Sequence, residues 1–325
     1  ILFVFGIALV VSLVTTVVVF HIGCRVGSHS DVGFLAALFF AFLPYEAMIF
    51  QIAGHIDFNL QVLWFAVLLL AVLRATDRNR RPSGFEFGAV SSVAAIFNPG
   101  FLLCAAVGFI FAIRGRSRRE MVRFILLAGL AHMLILGPVV AIQSARLGGF
   151  VPVKSNAGFE MYLGNTSEAR GILQNRTFRA HHPSQNAEEF TRYGRMGELE
   201  YVREVSRRFR DSVRFEDVLD NSLRRTYNFF LGYQVKLWDA SSAVIAVKEM
   251  FWKLPLVSLL VLAAIRRGRL ESTEWLVVLF ALAYSFPYLL TGVMERYRIP
   301  VVSATAVILA LVTHAILEYW RQRQA

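Results

Sequence analysis

Residues 87–113 read FGAVSSVAAIFNPGFLLCAAVGFIFAI, a largely apolar run broken by Asn98-Pro99-Gly100. Proline removes a helical hydrogen bond and glycine releases the backbone, so this run is expected to form two half-length helices that meet at mid-membrane or near its far side. Its flanks set its direction. Arg74, Arg78, Arg80 and Arg81 precede it, and Arg114, Arg116, Arg118 and Arg119 follow it. Short arginine-rich connections stay on the cytoplasmic side, so the segment between them must go in and come back.

Outward from this break, further apolar segments lie at 2–22, 33–50, 58–74, 121–143, 246–265, 275–291 and 300–318. A bilayer core of ~30 Å needs about twenty apolar residues per helical crossing, and these segments are near that length. Their uninterrupted apolar runs exclude a barrel, whose strands alternate. The expected fold is therefore an all-α polytopic membrane protein with about seven full crossings plus the broken pair. A third basic loop, Arg266, Arg267 and Arg269, also faces the cytoplasm on this reading. The domains are expected at 1–143 (membrane helices), 144–242 (an extracytoplasmic insert of mixed structure) and 243–325 (membrane helices).

Composition agrees, since 56% of the residues are hydrophobic, more than a soluble domain of this length could hide. The formal net charge of +11 sits mostly in short loops beside apolar runs, which assigns it to topology and lipid headgroups and not to nucleic acid. Cys24 and Cys104 offer neither a disulfide framework nor metal-ligand spacing. The chain opens with Ile1-Leu2-Phe3-Val4 inside an apolar run and without an initiator methionine, so its true N-terminus is expected to precede it.

In the insert, Leu199, Val202, Val205, Phe209 and Val213 recur at helical spacing, with Glu204 four residues before Arg208, as in an amphipathic helix on a protein or membrane surface. A second apolar series, Leu219, Leu223, Tyr227 and Phe230, leads back toward the bilayer.

The most informative loop is Gly292-Val293-Met294-Glu295-Arg296-Tyr297-Arg298-Ile299-Pro300, which the topology puts outside despite its arginines. Guanidinium forks suit a phosphate at the membrane surface, with Tyr297 as a further donor. The same arginines would also serve as interfacial anchors. Asp57, with His55 beside it, is either the N-cap of the helix that follows or a carboxylate at the mouth of a membrane site. Glu46 is an intramembrane carboxylate near the outer end of its segment, next to Pro44. Lys248, Glu249 and Lys253 read as interface anchors. His181 and His182 read as solvated and not as metal ligands, and His132 and His314 as packed residues bonded to backbone carbonyls. The sequons at Asn165 and Asn175 carry little weight.

Three stretches together carry a family resemblance: Val153-Lys154-Ser155-Asn156-Ala157-Gly158-Phe159-Glu160-Met161-Tyr162-Leu163-Gly164-Asn165 with Gly171 following, Gly197-Glu198-Leu199-Glu200-Tyr201-Val202-Arg203-Glu204, and Glu295-Arg296-Tyr297-Arg298-Ile299-Pro300. The chain resembles the multi-spanning GT-C glycosyltransferases, in particular the prokaryotic family 39 type related to protein O-mannosyltransferases and lipid A aminoarabinose transferases. The resemblance implies a polyprenyl-phosphate sugar donor in the cell (inner) membrane, and inverting transfer to a protein, lipid or glycan acceptor on the extracytoplasmic side. It implies that Arg296 and Arg298, with Tyr297, hold the donor phosphate. Asp57, His55, Glu46, Glu295, Tyr162 and Asn165 would position substrate. The family's best-known acidic residue lies in a first external loop, which is expected to precede Ile1, so no catalytic residue is assigned. No metal ligand is assigned either, and assistance by a divalent metal stays open. Two other readings stand beside this one: a transporter or lipid flippase, because broken half-helices also line transport sites, and a non-catalytic fragment of the GT-C fold.

Overall fold

The computed structural model describes residues 2–43, 56–76, 83–154, 156–166, 169, 173, 175–232, 242–292 and 295–324. Every regular element among them is a helix. Five helical stretches are long and apolar enough to cross a membrane: Gly6–Gly27, Asp57–Thr76, Arg118–Leu147, Ser272–Thr291 and Tyr297–Gln324. The chain is an all-α membrane protein. It divides into two compact units, one of residues 1–135, 237–284 and 298–325, the other of 136–236 and 285–297. The sequence expectation cut the chain at 143 and 242. The second unit instead begins within a long helix and includes 285–297, a distant segment that packing adds to it.

In the first unit, α1 (Leu2–Gly27) and α2 (Ser30–Phe42) form a hairpin, and α3 (Ile56–Thr76) and α14 (Val302–Gln324) pack on it. Phe65, Leu68 and Leu69 of α3 are fully buried. The first half of α14 is buried as well, and its Ser303, Ala304, Ala306 and Ala310 allow close approach of neighbouring backbones. Before α14 the basic loop of the sequence reading is wound into a 3-10 turn, Glu295–Val301.

The break is where the sequence places it. α4 (Gly84–Phe97) and α5 (Phe101–Ile113) have 14 and 13 residues. At 1.5 Å per residue each is about 20 Å long, too short to cross a ~30 Å bilayer core alone. Asn98 has extended backbone, and its side-chain oxygen accepts the Gly100 N–H at 2.9 Å, which turns the chain into α5. α4 lies against α6 (Arg118–Leu147) through Gly88, where a Cβ would meet the Ala128 carbonyl oxygen at 2.5 Å. His132 Nδ1 donates to the Ala128 carbonyl at 2.8 Å, as read from sequence.

The second unit corrects the expectation of a mixed insert. Its elements are α7 (Ala157–Asn165), α8 (Asn175–His181), α9 (Ala187–Met196), α10 (Glu198–Ser212) and α11 (Phe215–Phe230), with no strand among the described residues. Residues 157–165 are helical because Phe159 and Leu163, four apart, bury one face against Tyr201, Val202 and Val205 of α10. Gly197, at φ 75°, makes the turn between α9 and α10, a conformation other residues rarely adopt.

Charge reinforces this helical core. Glu189 accepts from the Tyr201 hydroxyl at 2.9 Å and from Arg208 at 3.1 Å, and Arg208 also bonds Glu204 at 2.9 Å. Burial raises the Glu189 pKa, but the Tyr201 and Arg208 hydrogen bonds and the charges of Arg208 and Arg192 bring it below the ordinary carboxylate value. A carboxyl with a depressed folded pKa contributes stability above its unfolded pKa of about 4.3, and that contribution is lost as pH falls through the folded value. Glu189→Gln is therefore expected to cost about 1–3 kcal/mol at neutral pH and to flatten the acid limb of a stability-versus-pH curve. Thermal unfolding of the purified protein across an acidic pH series reads both effects.

α11 turns its apolar series outward. Leu219, Leu223 and Tyr227 are exposed, together with Phe215, while Asn221, Arg225 and Phe229 face inward. An exposed apolar stripe of this spacing suits a membrane surface or a partner.

Candidate functional site

The centre of the second unit is built on the end of α13 (Ser272–Thr291). A helix leaves its last carbonyls without intrahelical donors, and the helix dipole makes that end negative. Here the Tyr288 carbonyl accepts the Gly292 N–H at 3.1 Å. The next two are met by Arg225 of α11, whose Nη1 donates to the Leu289 and Leu290 carbonyls at 3.0 and 2.8 Å. Its Nη2 donates to the Gly164 carbonyl and, at 2.7 Å, to the Asn165 side-chain oxygen. Asn165 in turn donates its amide to Met161 at 2.7 Å and to Leu290 at 3.1 Å. Arg225 is wholly buried, and no carboxylate pairs with it among the described residues. Burial pushes its pKa down to about 10, so the cation persists at neutral pH, where four oxygens and a helix C-terminus replace a counter-ion.

This node explains Gly164 and Asn165 in physical terms. A Cβ at Gly164 would overlap the Thr291 carbonyl oxygen, so α7 reaches the end of α13 only because residue 164 lacks a side chain. Asn165, 4% exposed, fits because its amide can accept from Arg225 and donate to the Leu290 carbonyl at once.

Beside the node lies a cavity of about 680 Å³ lined by Tyr162, Asn165, His181, Asp217, Asp220 and Arg224, among others. The Tyr162 hydroxyl and His181 Nδ1 are 3.3 Å apart, and Arg224 bonds Asp220 at 2.8 Å. Hydroxyl, amide and carboxylate groups converging on a space of this size form a polar pocket that can hydrogen-bond a polyhydroxyl ligand. His182 does not join it. Its Nδ1 accepts the Ser184 N–H at 3.0 Å, and its ring lies 5.3 Å from Phe159 and 5.2 Å from Phe178.

The sequence-predicted residues are distributed as follows. Tyr162 and Asn165 line the cavity. Tyr297 stacks on Tyr288 within the same unit, centroids 4.3 Å apart and rings 15° from parallel. Arg298 belongs to the first unit and is 5% exposed, which is not the position of a side chain snorkelling into headgroups. Glu295 and Arg296 lie on the 3-10 turn, and their side chains fall outside the described set. Asp57 is exposed in the first turn of α3. Glu46 and His55 lie outside the described residues.

Sequence reasoning missed Arg225 because it lies opposite the Leu219-Leu223-Tyr227 series and so reads as solvent-facing. A polar group at the helix break in the first unit was missed as well. Asn98 Nδ2 donates to Gln61 Oε1 at 2.8 Å and to the Tyr284 hydroxyl at 3.2 Å, and that hydroxyl donates to Gln61 Oε1 at 3.3 Å. Gln61 and Tyr284 are buried, and Phe65 meets the Tyr284 ring edge-on. Replacing Asn98 with leucine is expected to cost about 1 kcal/mol, the scale of hydrogen bonds between membrane helices, measurable by unfolding in detergent.

Comparison with protein-family models, with curated proteins and with solved structures finds no match to this chain.

Proposed function

We propose that the chain is a GT-C type glycosyltransferase that moves a sugar from a polyprenyl-phosphate donor to an extracytoplasmic acceptor with inversion. The observation that supports this reading is that two of the stretches carrying the resemblance, 153–165 and 197–204, share one compact unit, which contains a polar cavity, with 295–297 of the third, whose residues 298–300 belong to the other unit. In this proposal the arginine-rich loops face the cytoplasm, the insert faces outward, and the cavity receives the sugar or acceptor hydroxyls. Transfer requires cations against the departing lipid phosphate and a carboxylate to take the acceptor's proton. Arg296 and Arg298, with Tyr297, are proposed for the phosphate. Asp57 and Glu295 are proposed to position substrate, and the base is assigned to no residue of this chain.

A second reading, translocation of a lipid or solute, is favoured by one observation: the hydrogen-bonded Gln61-Asn98-Tyr284 group at a broken helix, the kind of place where transporters bind. The chemical fate of the donor separates the two. Proteoliposomes containing the protein and a labelled polyprenyl-phosphate sugar are expected to release lipid phosphate and pass the label to an acceptor. Movement of intact donor between leaflets, with no cleavage, would instead support translocation.

A further inference from the structure

We infer that His29, His314 and Glu318 form a binding site for a divalent transition-metal ion, Zn²⁺ by ligand chemistry, joining the α1–α2 turn to α14. The inference is independent of the glycosyl-transfer reading. His29 is the residue before α2, has extended backbone (φ −135°, ψ 144°), and makes no side-chain capping bond to the helix. Its ring is therefore not engaged by the helix end it precedes. His314 and Glu318 are four apart on α14 and so share a face, with Nε2 and Oε1 3.2 Å from one another. The His29 ring lies against that of His314, centroids 5.4 Å apart. One ligand atom from each of the three residues lies within 4.8 Å of the other two.

Two imidazoles and a carboxylate are a ligand set that zinc accepts, with metal–ligand distances of ~2.0–2.2 Å and a tetrahedral preference. Ligand atoms of a tetrahedral site stand roughly 3.3 Å apart, so shifts of up to about 1.5 Å, by rotation of exposed side chains, close the set. That movement is cheap here, because His29 and Glu318 are exposed and His314 is half-buried. The fourth position stays open to water. A His314-Glu318 ion pair would explain two of the three groups, and a ring contact would explain the two histidines. A metal explains all three, since both imidazoles can then stay neutral with lone pairs turned inward while Glu318 offsets part of the ion's charge. The consequence is a cross-link between positions 29 and 314 of the first unit, whose helices α2 and α14 already pack together.

The test is Zn²⁺ titration of the purified full chain in detergent after chelator treatment, by calorimetry and by metal analysis after dialysis. Wild type, His29→Ala, His314→Ala and the double variant are compared, each checked for an unchanged helical spectrum. Wild type is expected to bind about one ion, to gain thermal stability on Zn²⁺ addition, and to lose roughly tenfold or more in affinity with either single substitution. Titration with Co²⁺ is expected to give the visible absorption of low-coordinate nitrogen ligation in wild type and not in the double variant. Binding and thermal response in the double variant equal to wild type would overturn the inference, as would the absence of Zn²⁺ binding by wild type.

Discussion

Arg225→Met is expected to lower the stability of the second unit by about 3–5 kcal/mol, because it strips donors from acceptors in a buried node. The Leu289, Gly164 and Asn165 oxygens all lose Arg225, and Leu290 keeps only the Asn165 amide. The methionine fills a similar volume, so the loss reports hydrogen bonding and the uncapped end of α13 more than a cavity. Arg225→Lys should recover only part of it, since an ammonium supplies a point charge where a planar fork serves four oxygens. Thermal unfolding in detergent, read by tyrosine and tryptophan signals, measures the effect. Asn165→Ala in the Arg225→Met background should cost less than in wild type, because both side chains serve one carbonyl cluster.

Gly164→Ala is the second large effect. The added methyl overlaps the Thr291 carbonyl oxygen, which is backbone at a helix end and cannot swing aside as a side chain can. Separating α7 from the end of α13 would also lengthen the Arg225 and Asn165 bonds, so a loss of about 3 kcal/mol is expected, at the upper end of overpacking costs. Limited proteolysis of the insert should show the same loss, with cleavage between 157 and 232 accelerated relative to wild type. Gly194→Ala provides the control, since a Cβ there meets nothing within 4 Å, and it should be neutral or slightly stabilising.

How much of this was legible in the sequence depends on which force decides each feature. Long apolar segments and the Asn98-Pro99-Gly100 break are local properties, and the helices at 57–76, 84–97, 101–113 and 118–147 follow from them directly. Gly197, just ahead of the Leu199-Val202-Val205 series, marks the start of α10 for the same reason, a local turn. Arg225 was not legible, because a buried arginine opposite an apolar stripe makes sense only once the end of α13, more than sixty residues away in sequence, is known to need a donor. The same holds for Gln61, Asn98 and Tyr284, which are separate polar residues in sequence and one hydrogen-bonded group in space. His314 was read as a packed residue bonded to a backbone carbonyl. It faces His29 and Glu318 instead, a neighbour on another helix and one a turn along its own.

In the proposed function, a basic turn ahead of α14 holds the phosphate of a lipid-linked sugar. This role is tested most directly by measuring label transfer from a panel of polyprenyl-phosphate sugars in membranes carrying wild type, Arg296→Ala or Arg298→Lys at matched expression and folding. Donor-dependent transfer by wild type is expected, with Arg296→Ala lowering it by about a hundredfold or more and Arg298→Lys reducing it in the same direction. Transfer that is undiminished in both variants, or no donor consumed by folded wild type with any sugar of the panel, would contradict the account.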